Sequence, residues 1–575
     1  MDAKREREIT AICFLLAILP LLGFWTYGLF DLDEGFYAAS AREMIRRGEW
    51  ITPYYNGQPW FEKPILLYWL AIPSVQVFGE AIGPRLPSVL CTIGTLFVTF
   101  RFVARHVSVV AARYSLLVLG STILMVGIGR MMLADPPLIL SLTLCFTLFF
   151  DSLSDGDLRK VVGLRAWSGC ALGFAVLAKG PVGALLFVLI LGMTYWLEPS
   201  LRSSFFRTAG NLPASPSTAG VPPASGSASS AESPEKPLPQ PLSSATESEE
   251  DPVQRAQERG ARASVNEDPA ASTEGRGSAG GTAAPRGWIV GSLVFLATIS
   301  LWYVPAYLAN GQVFVQKFLI EQNIGRFTGG DAAHSIGGPA NWLFYVIILL
   351  VGFAPWSFWL PKAWPRRAEG LDASSLLRRF CLIWALVVVV FFSISGAKLP
   401  HYIAPALPPL AIIVGTFLAR RNNQRAIPLG PAVACGVVAI LANAAFWVYY
   451  HGATFGQTSI PGFHEEVHDL ARWVKAQGGD VAVYQMSRRE KELGTGQVKL
   501  RETAHPTLLF YLDKNMLDTD DLQKLLNAPK PVWIITRRNR ITDEDRKAIA
   551  EAGQTLETPE TPTRQDLYRV YRLTK

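Results

Sequence analysis

The chain has 575 residues, of which 50% are hydrophobic and only 18% are charged. Together with a mean hydropathy of +0.22, this composition excludes an ordinary soluble multidomain protein and indicates a polytopic membrane protein. The net charge of +7 says less than the positions of the charges, because the orientation of a membrane protein follows the lysines and arginines of its short loops.

Residues 9–30 are the first candidate membrane span. They carry no charge over 22 positions, which is enough to cross a hydrocarbon core of about 30 Å at about 1.5 Å per residue. Later apolar runs bring the candidate spans to eleven; these runs are residues 82–104, 109–129, 137–151, 166–180, 181–198, 288–308, 341–361, 380–395, 400–419 and 431–450. Residues 64–80 are also apolar, but they are short and contain Pro73, so we predict that they lie in the interface.

With this assignment the basic loops fall on one side of the membrane, which the positive-inside rule makes cytoplasmic. Their residues are Lys4, Arg5, Arg7, Arg101, Arg105, Arg113, Arg159, Lys160, Arg165, Lys362, Arg366, Arg367, Arg378, Arg379, Arg420, Arg421 and Arg425. The outer side then receives Asp33, Glu62, Lys63, Asp135, Lys179, Arg326, His334, Lys398 and His401. We therefore expect a multi-pass bacterial inner-membrane protein with a cytoplasmic N-terminus and a periplasmic site.

The predicted outer loop after the first span carries charged groups directly beside membrane sequence. Asp33 and Glu34 follow the span, and Glu62 with Lys63 precedes a proline. Charges in this position are costly and often functional, although an ordinary end-of-helix charge is the alternative. Between these two clusters the sequence predicts an amphipathic helix. Its apolar residues, which we expect to face lipid, are Phe36, Tyr37, Met44 and Ile45.

Neighbouring carboxylates suit general acid–base chemistry. Asp33 and Glu34 point in different directions on a helix or turn, so one can face the reaction while the other orients it or binds a cation. A third acid, Asp135 in the stretch LADPPL, is expected at the same side of the membrane. We predict that these three residues are catalytic.

The predicted outer helix ends also carry a set of cations, Lys63, Lys179, Arg326 and Lys398. Each alone is explained by an ordinary helix-end charge, and Lys63 also by a lysine that snorkels to the interface. Together they predict an anion-binding set. A lysine ammonium suits a lipid phosphate because it is a compact point charge.

Sugar transfer from a lipid phosphate fits this combination of acids and cations. Cations stabilise the departing phosphate, and a carboxylate takes the proton of the acceptor. The sequence holds no Walker loop and no dinucleotide fingerprint, which fits a donor other than a soluble nucleotide sugar. A single displacement predicts inversion at the anomeric carbon. The alternative is a transporter or flippase of the same lipid-linked sugars, but that function needs charges near the bilayer midplane.

Composition divides the chain into four parts. Residues 1–207 hold the first membrane part with the outer loop 31–80, and residues 208–287 predict a disordered cytoplasmic insert rich in Ser, Ala, Pro, Gly and Glu. Residues 288–450 hold the second membrane part, and residues 451–575 predict a small periplasmic α/β domain. Its strand-like runs are 481–486, 532–536 and 567–573, and its helix-like runs are 461–477, 518–528 and 542–552.

The C-terminal part contains one pattern that is typical of a zinc site. His464-Glu465-Glu466-Val467-His468 matches HExxH, in which two histidines one helical turn apart ligate zinc and the glutamate acts as a base. No third ligand is evident from the sequence, and the segment has the pattern of a solvated helix face. We therefore favour a solvated helix over a metalloprotease.

The membrane part of the sequence resembles a known family. The motifs that carry the resemblance are DLDEGFYA followed by REM, then WFEKPILLYW, LADP, AKGP, QNIGRF and SGAKLPHYIAPALPPLA. In this order, from Asp31 to about Arg420, they are similar to the GT-C membrane glycosyltransferases. The similarity is greatest to the aminoarabinose lipid A transferase branch of the protein O-mannosyltransferase superfamily. It implies an α-helical polytopic GT-C fold with about 11–13 transmembrane helices.

The resemblance also implies roles for single residues. Asp33 would be the general base or would position the acceptor, and Asp135 would be the second essential acid. Lys63 and Arg326 would hold the donor phosphate. Tyr402, which follows Lys398, would line the donor site.

One position departs from the family pattern. Where the aminoarabinose transferases have a histidine that helps the EKP glutamate to hold a metal, this chain has Asn323. A divalent cation at Glu62 would therefore need another ligand, for which His334 is the candidate, and no other cofactor is implied. The departure also argues against aminoarabinose as the sugar.

The resemblance finally implies the partners of the chain. The donor would be a sugar linked to a polyprenyl phosphate such as undecaprenyl phosphate. The acceptor would be lipid A or another glycolipid, a glycan or a protein. The remaining partner is the lipid bilayer, and no nucleic acid is implied.

Overall fold

A computed structural model describes residues 3–31, 33–155, 157–200, 283–325, 340–365, 373–396, 398–455, 458–461, 463–486, 506–561 and 567–575. Met1–Phe206 and Pro285–Lys575 form one compact unit. Most of the insert predicted at residues 208–287 lies outside the described residues, so its character stays a prediction. The described chain resumes with a helix at Ala283.

The helices of the first membrane part follow the apolar runs of the sequence. They are α1 (Ala3–Ile18), α2 (Asp33–Arg47), α3 (Leu66–Ile82), α4 (Leu86–His106), α5 (Val109–Gly120), α6 (Ile123–Gly129), α7 (Asp135–Ser154), α8 (Leu158–Lys179) and α9 (Val182–Leu197). A short hairpin of β1 (Tyr54–Tyr55) and β2 (Gln58–Pro59) lies between α2 and α3. Asp135 and the two prolines after it begin α7, because acids and prolines are favoured in the first turn of a helix.

The second membrane part continues in the same way. Its helices are α10 (Ala283–Phe314), α11 (Ala340–Gly352), α12 (Leu360–Ala363), α13 (Ala373–Ile394), α14 (Leu407–Arg421) and α15 (Leu429–His451). α10 is interrupted at Gly311, whose φ of 55° is easily adopted by glycine. A π-helical segment, Val315–Gly325, follows α10, and the 3-10 turn Pro400–Ala406 leads into α14.

Within the described residues, seven helices are long and apolar enough to cross a membrane, or up to nine if each of two bent pairs counts as one span. The seven are Leu86–His106, Asp135–Leu153, Arg159–Lys179, Arg286–Gly325, Ser374–Ile394, Pro400–Arg421 and Leu429–His451. The bent pairs are Val109–Gly120 with Ile123–Gly129, and Leu343–Gly352 with Trp356–Ala363; the shorter apolar helices are Leu66–Ile82 and Val182–Leu197. The predicted α-helical polytopic fold is thereby confirmed.

The first predicted span, residues 9–30, is not one continuous helix. Its α-helical part ends at Ile18, and a 3-10 turn, Leu19–Leu21, follows. Pro20 offers no amide for helix continuation, and Gly23 has a φ of 84°, so both residues interrupt a helix. The chain then runs through turns to the start of α2.

The C-terminal region has the predicted α/β character. Its strands are β3 (Gly452–Phe455), β4 (Thr458–Pro461), β5 (Asp480–Tyr484), β6 (Leu517–Thr519), β7 (Val532–Arg537), β8 (Thr555–Glu557) and β9 (Tyr568–Thr574), and its helices are α16 (Phe463–Gln477), α17 (Thr507–Leu512), α18 (Leu522–Leu526) and α19 (Asp543–Glu551). Five strands form one sheet in the order β6-β5-β7-β9-β8. β5 runs parallel to β6 and β7, and β9 runs antiparallel to β7 and β8. The predicted strands correspond to β5, β7 and β9, whereas the helix predicted at 518–528 divides between β6 and α18.

α2 is the predicted amphipathic helix, but the prediction that its apolar residues face lipid is wrong. Phe36, Tyr37 and Met44 are buried, because α2 packs against α3 and against α17 of the C-terminal region. Phe36 also stacks on Trp60, with ring centres 5.1 Å apart. The apolar face of α2 is therefore covered by protein.

The prediction that His464 and His468 lie on a solvated helix face is also wrong. The two residues are 9% and 0% exposed, because α16 packs against α15 and α17. Nδ1 of His468 lies 3.0 Å from the hydroxyl of Tyr450, and its Nε2 lies 2.9 Å from the hydroxyl of Thr507. The histidines thus belong to a contact between helices.

Hydrogen bonds join the C-terminal region to both ends of α2. Before the first turn of α2, the amide of Thr507 donates to Oδ1 of Asp31 over 2.9 Å. In the last turn, the guanidinium of Arg46 donates to the side-chain oxygen of Asn515 over 2.7 Å. These bonds fix α2 between membrane helices and the C-terminal region.

We expect Gly35→Ala to loosen this attachment. A Cβ atom at Gly35 would lie 2.7 Å from Oδ1 of Asp31 and 2.8 Å from the amide nitrogen of Thr507. The added methyl group must therefore push α17 away, at a cost of about 1–3 kcal/mol, as is usual for small-to-large changes in packed sites. Thermal unfolding of the purified chain in detergent should show a lower Tm.

Gly436→Ala in α15 is the matched control, because nothing lies within 4 Å of its added Cβ atom. The control should keep the Tm of the unaltered chain. Equal Tm values for both variants would contradict the close contact at Gly35.

Candidate functional site

Glu34, the residue after Asp33 in α2, forms a buried ion pair with Arg85. Both carboxylate oxygens of Glu34 accept from the guanidinium of Arg85, with Oε1–Nε and Oε2–Nη2 distances of 2.7 Å. Glu34 is 0% and Arg85 is 1% exposed. Burial alone would lower the pKa of Arg85, but the neighbouring carboxylate of Glu34 raises it above its usual value.

The remaining hydrogen-bonding capacity of this pair is used by the main chain. The carboxylate of Glu34 accepts from the amides of Phe30 and Met132, over 2.9 and 2.8 Å. The guanidinium of Arg85 donates to the carbonyls of Phe24, Tyr27 and Gly28, at 2.7 to 3.0 Å. A buried ion pair is stable only when its other donors and acceptors are satisfied in this way. Glu34, a predicted catalytic residue, therefore has its carboxylate engaged within the protein.

The pair places its neighbour Asp33 at the start of α2. Asp33 is the first residue of α2 and is only partly buried. Since consecutive helical residues point about 100° apart, the burial of Glu34 directs Asp33 to another side of the helix.

A second group of charges lies at the start of α7 and the end of α8. Nζ of Lys179 is 2.5 Å from Oδ1 of Asp135, and Nε2 of His401 is 3.7 Å from Oδ2 of the same carboxylate. The ammonium of Lys179 also lies 4.4 Å from the ring centre of Tyr402. Asp135 is 2% exposed, so its carboxylate holds two potential cations in a largely water-free setting.

Asp33, at the start of α2, and Lys63, in the loop before α3, belong to the same charged group. Both interact electrostatically with the imidazole of His401, and Lys63 interacts with Asp135 as well. Nζ of Lys63 lies 3.3 Å from Oε1 of Glu62, which is the predicted ion pair. The structure therefore brings together Asp33, Lys63, Asp135 and Lys179, four residues that are far apart in sequence.

Lys398 has a different environment from the other cations. Its ammonium donates to the carbonyls of Phe392, Ser393 and Ser395, at 2.6 to 3.1 Å. These are carbonyls around the end of α13, where the helix leaves them without intrahelical partners. Burial lowers the pKa of Lys398. Its three N–H groups are thus used to cap a helix.

Two predicted site residues, Arg326 and His334, lie outside the described residues. The π-helical segment Val315–Gly325 that precedes them reaches the turn after Lys179, because Oδ1 of Asn323 lies 2.7 Å from where a Cβ of Gly180 would be. Gly180 has a φ of 84°, so glycine suits both the backbone and the contact.

The described residues around Glu62 do not complete a metal site. In the whole described part of the chain, one group of three His, Cys, Asp or Glu side chains comes close enough together to hold an ion, and it does not include Glu62. This group is Asp31, His464 and His468. Glu62 remains paired with Lys63, and its predicted companion His334 lies outside the described part of the chain. A divalent cation at Glu62 stays a prediction.

Two important residues were missed from the sequence alone. His401 was placed on the outer side but received no role, although it directly precedes Tyr402 in the KLPHY motif. Arg85 stands in the stretch GPRLP at the start of an apolar run, where a charge so close to a span was a signal that could have been used.

Comparisons with known proteins agree with this architecture. Residues 9–206 match the family model described as dolichyl-phosphate-mannose-protein mannosyltransferase. An undecaprenyl phosphate-alpha-4-amino-4-deoxy-L-arabinose arabinosyl transferase of Shewanella sediminis is 27% identical over 459 residues, which are 79% of this chain and 67% of that protein. A second transferase of this name, from Pseudomonas fluorescens, is 26% identical over 71% of this chain, and the match spans only 55% of its length.

The fold agrees with a solved structure over its whole length. The crystal structure of ArnT from Cupriavidus metallidurans bound to undecaprenyl phosphate superposes with a TM-score of 0.65 at 17% sequence identity, covering 100% of this chain and 98% of that one. The predicted GT-C fold and the predicted resemblance to the aminoarabinose transferase branch are thereby confirmed.

We expect substitutions of Glu34 and of Asp33 to differ in their effects on the stability of the protein. Glu34→Gln removes the charge that compensates buried Arg85, and breaking a buried ion pair typically costs about 3–5 kcal/mol. Asp33→Asn changes a partly exposed residue at the start of α2, so the Tm of this variant should stay close to that of the unaltered chain. Thermal unfolding in detergent measures both variants.

Equal losses of Tm in Glu34→Gln and Asp33→Asn would contradict the assignment of Glu34 to the framework. A matched control is Glu551→Gln, because Glu551 is mostly exposed and forms only a 3.8 Å contact with Lys547. It should leave the Tm unchanged.

Proposed function

We propose that this chain, which is similar in fold to ArnT and in sequence to undecaprenyl phosphate-alpha-4-amino-4-deoxy-L-arabinose arabinosyl transferases, transfers a sugar from undecaprenyl phosphate to lipid A. The observation that carries this proposal is the convergence of two acids and two lysines, Asp33, Asp135, Lys63 and Lys179, from three separate parts of the membrane region. The names of the relatives, which are transferases of a sugar carried on undecaprenyl phosphate, support the choice of donor.

The two lysines suit the phosphate of the donor. As the bond between the anomeric carbon and the phosphate oxygen breaks, its electron pair stays with that oxygen and the negative charge of the phosphate increases. Ammonium groups that are already in place stabilise this charge without reorganising. Lys63 and Lys179 each keep N–H groups beyond those used by Glu62 and Asp135, because an ammonium has three.

The carboxylate of Asp33 is suited to act on the acceptor, either as a base or as a positioning group. If the acceptor is a hydroxyl group, its oxygen attacks the anomeric carbon and its proton passes to the carboxylate of Asp33. If the acceptor is an ionised phosphate of lipid A, no proton is removed, and Asp33 positions the acceptor. In both cases one displacement inverts the anomeric carbon.

The carboxylate of Asp135 is suited to position the neighbouring basic side chains. Its buried carboxylate lies between Lys179 and His401, and without it a positive charge would remain in a largely dehydrated site. Tyr402 faces the ammonium of Lys179 and so restricts where that ammonium can move.

The site is proposed to open on the periplasmic face of the inner membrane. The positive-inside assignment of the basic loops supports this orientation, and the contacts between α2 and α17 then put the C-terminal region on the same face as Asp33. In this orientation the insert at residues 208–287 is cytoplasmic and takes no part in the reaction.

We expect Asp33→Asn to abolish transfer while leaving donor binding intact. Loss of a general base typically costs a factor of about 10² to 10⁴ in rate, whereas the donor phosphate is held by the lysines. The sugar-modified form of lipid A, measured by mass spectrometry, should disappear from cells that carry only this variant. The Kd of the purified variant for undecaprenyl phosphate should change less than about twofold.

Asp480→Asn, a change of an exposed acid at the start of β5, is the control and should preserve the modified lipid A. Full modification in cells with Asp33→Asn would refute the role of Asp33.

We expect Lys63→Gln to weaken binding of undecaprenyl phosphate by about tenfold. Hydrogen bonds to charged groups typically contribute about 1.5–3 kcal/mol, and the substitution removes one such donor together with its charge. Lys63→Arg should recover part of the affinity. The Kd of purified chain in detergent, titrated with undecaprenyl phosphate, gives the comparison.

Lys547→Gln is the matched control, because the side chain of Lys547 is 79% exposed in the C-terminal region. A Kd for Lys63→Gln that equals the Kd of this control would show that Lys63 does not hold the phosphate.

A further inference from the structure

Three metal-ligating side chains meet away from the candidate active site. Asp31 lies in the stretch between α1 and α2, and His464 and His468 lie one turn apart on α16. Their ligand atoms all lie within 4.8 Å of one another. The group joins parts of the chain that are more than 400 residues apart.

Neighbouring residues already orient this group. Thr507 donates its amide hydrogen to Oδ1 of Asp31 over 2.9 Å, and its hydroxyl lies 2.9 Å from Nε2 of His468. The hydroxyl of Tyr450 lies 3.0 Å from Nδ1 of His468. Asp31 and His468 are thus held by a shared neighbour, which preorganises two of the three side chains.

Aromatic rings surround the histidines. The ring centre of His468 is 4.3 Å from that of Tyr511, and the ring centre of His464 is 5.3 Å from that of Phe30. Such a wall limits the access of water and leaves few directions in which the imidazoles can turn. The hydrophobic surroundings of a metal site control the access of solvent in this way.

We propose that Asp31, His464 and His468 bind one zinc ion. Imidazole nitrogen and carboxylate oxygen are both ordinary zinc ligands, with bond lengths of about 2.0–2.2 Å. Tetrahedral ligands at these lengths are about 3.3 Å apart, so closing from within 4.8 Å requires small side-chain movements. One nitrogen of His468 would leave its hydroxyl partner for the ion, and the other would keep its hydrogen bond, which fixes the tautomer.

The site is structural rather than proteolytic. Glu465, the glutamate that would serve as base in an HExxH protease, points its carboxylate to His451, with an Oε1–Nδ1 distance of 2.7 Å. Glu466 accepts hydrogen bonds from the amides of Leu567 and Tyr568. The ion instead would tie α16 to Asp31, which stands two residues before Asp33.

Zinc stoichiometry of the full chain tests this site. Purified protein is stripped with a chelator, reloaded with Zn²⁺ alone, desalted and measured by mass spectrometry of the metal. The unaltered chain should carry about one zinc per chain more than Asp31→Asn or His464→Gln. A zinc ion at Glu62 would be present in all samples and would cancel in the difference.

His451→Gln is the matched control, because His451 neighbours α16 and pairs with Glu465 but lies outside the three-residue group. It should bind as much zinc as the unaltered chain. Zinc contents of Asp31→Asn and His464→Gln that equal those of the unaltered chain would overturn the proposal.

A second measurement uses no variant and so does not depend on how the substituted chains fold. Anomalous diffraction at the zinc edge, from crystals of the reloaded full chain, should show a peak between the imidazoles of His464 and His468. A map without that peak would equally overturn the proposal. The expected zinc-dependent rise in Tm should also be absent from His464→Gln and present in His451→Gln.

Discussion

The buried pair of Glu34 and Arg85 is the constraint on which the arrangement of the candidate site depends. Moving two charges out of water is costly. The buried pair is stable only because main-chain amides and carbonyls form hydrogen bonds with the donors and acceptors that the two side chains do not use for each other. Three carbonyls between Phe24 and Gly28, in the non-helical stretch that follows Pro20 and Gly23, accept hydrogen bonds from the guanidinium. The same pair fixes the beginning of α2 against the beginning of α4.

Glu34 also connects the two acids of the candidate site. Its Oε1 accepts from the amide of Met132, three residues before Asp135, while its own position in α2 sets that of Asp33. One carboxylate therefore holds both segments that deliver an acid to the site. Asp135 in turn lies close to Lys179 and His401 and holds both of them near the site.

The sequence was sufficient for the fold class and for most of the charged group. Apolar runs of span length mark the membrane helices, and single charges beside Gly or Pro mark the helix ends that carry Lys63, Asp135 and Lys179. It was not sufficient for contacts made over long distances in the chain. The lipid-facing prediction for Phe36 and Met44 failed because α2 packs against α3 and also against α17, which lies about 470 residues later. For the same reason the third possible ligand of the HExxH histidines, Asp31, could not be found.

Residue type alone also could not separate framework charges from charges that face the reaction. Glu34 and Asp33 are adjacent acids, yet only the position of Arg85 shows which of them is enclosed. Lys398 stands in a motif with Tyr402, but its ammonium closes the end of α13. Such distinctions depend on which main-chain groups lack partners, and this follows from the fold rather than from local sequence.

Transfer itself is tested most directly with the purified chain in liposomes. Isotope-labelled lipid-linked sugars, extracted from the source organism, are incorporated together with lipid A, and the label is followed in both lipid classes. We expect the label to leave the polyprenyl phosphate and to appear covalently on lipid A, with free undecaprenyl phosphate as the second product. Label that crosses the bilayer but stays on the polyprenyl lipid would contradict this expectation and identify the chain as a transporter.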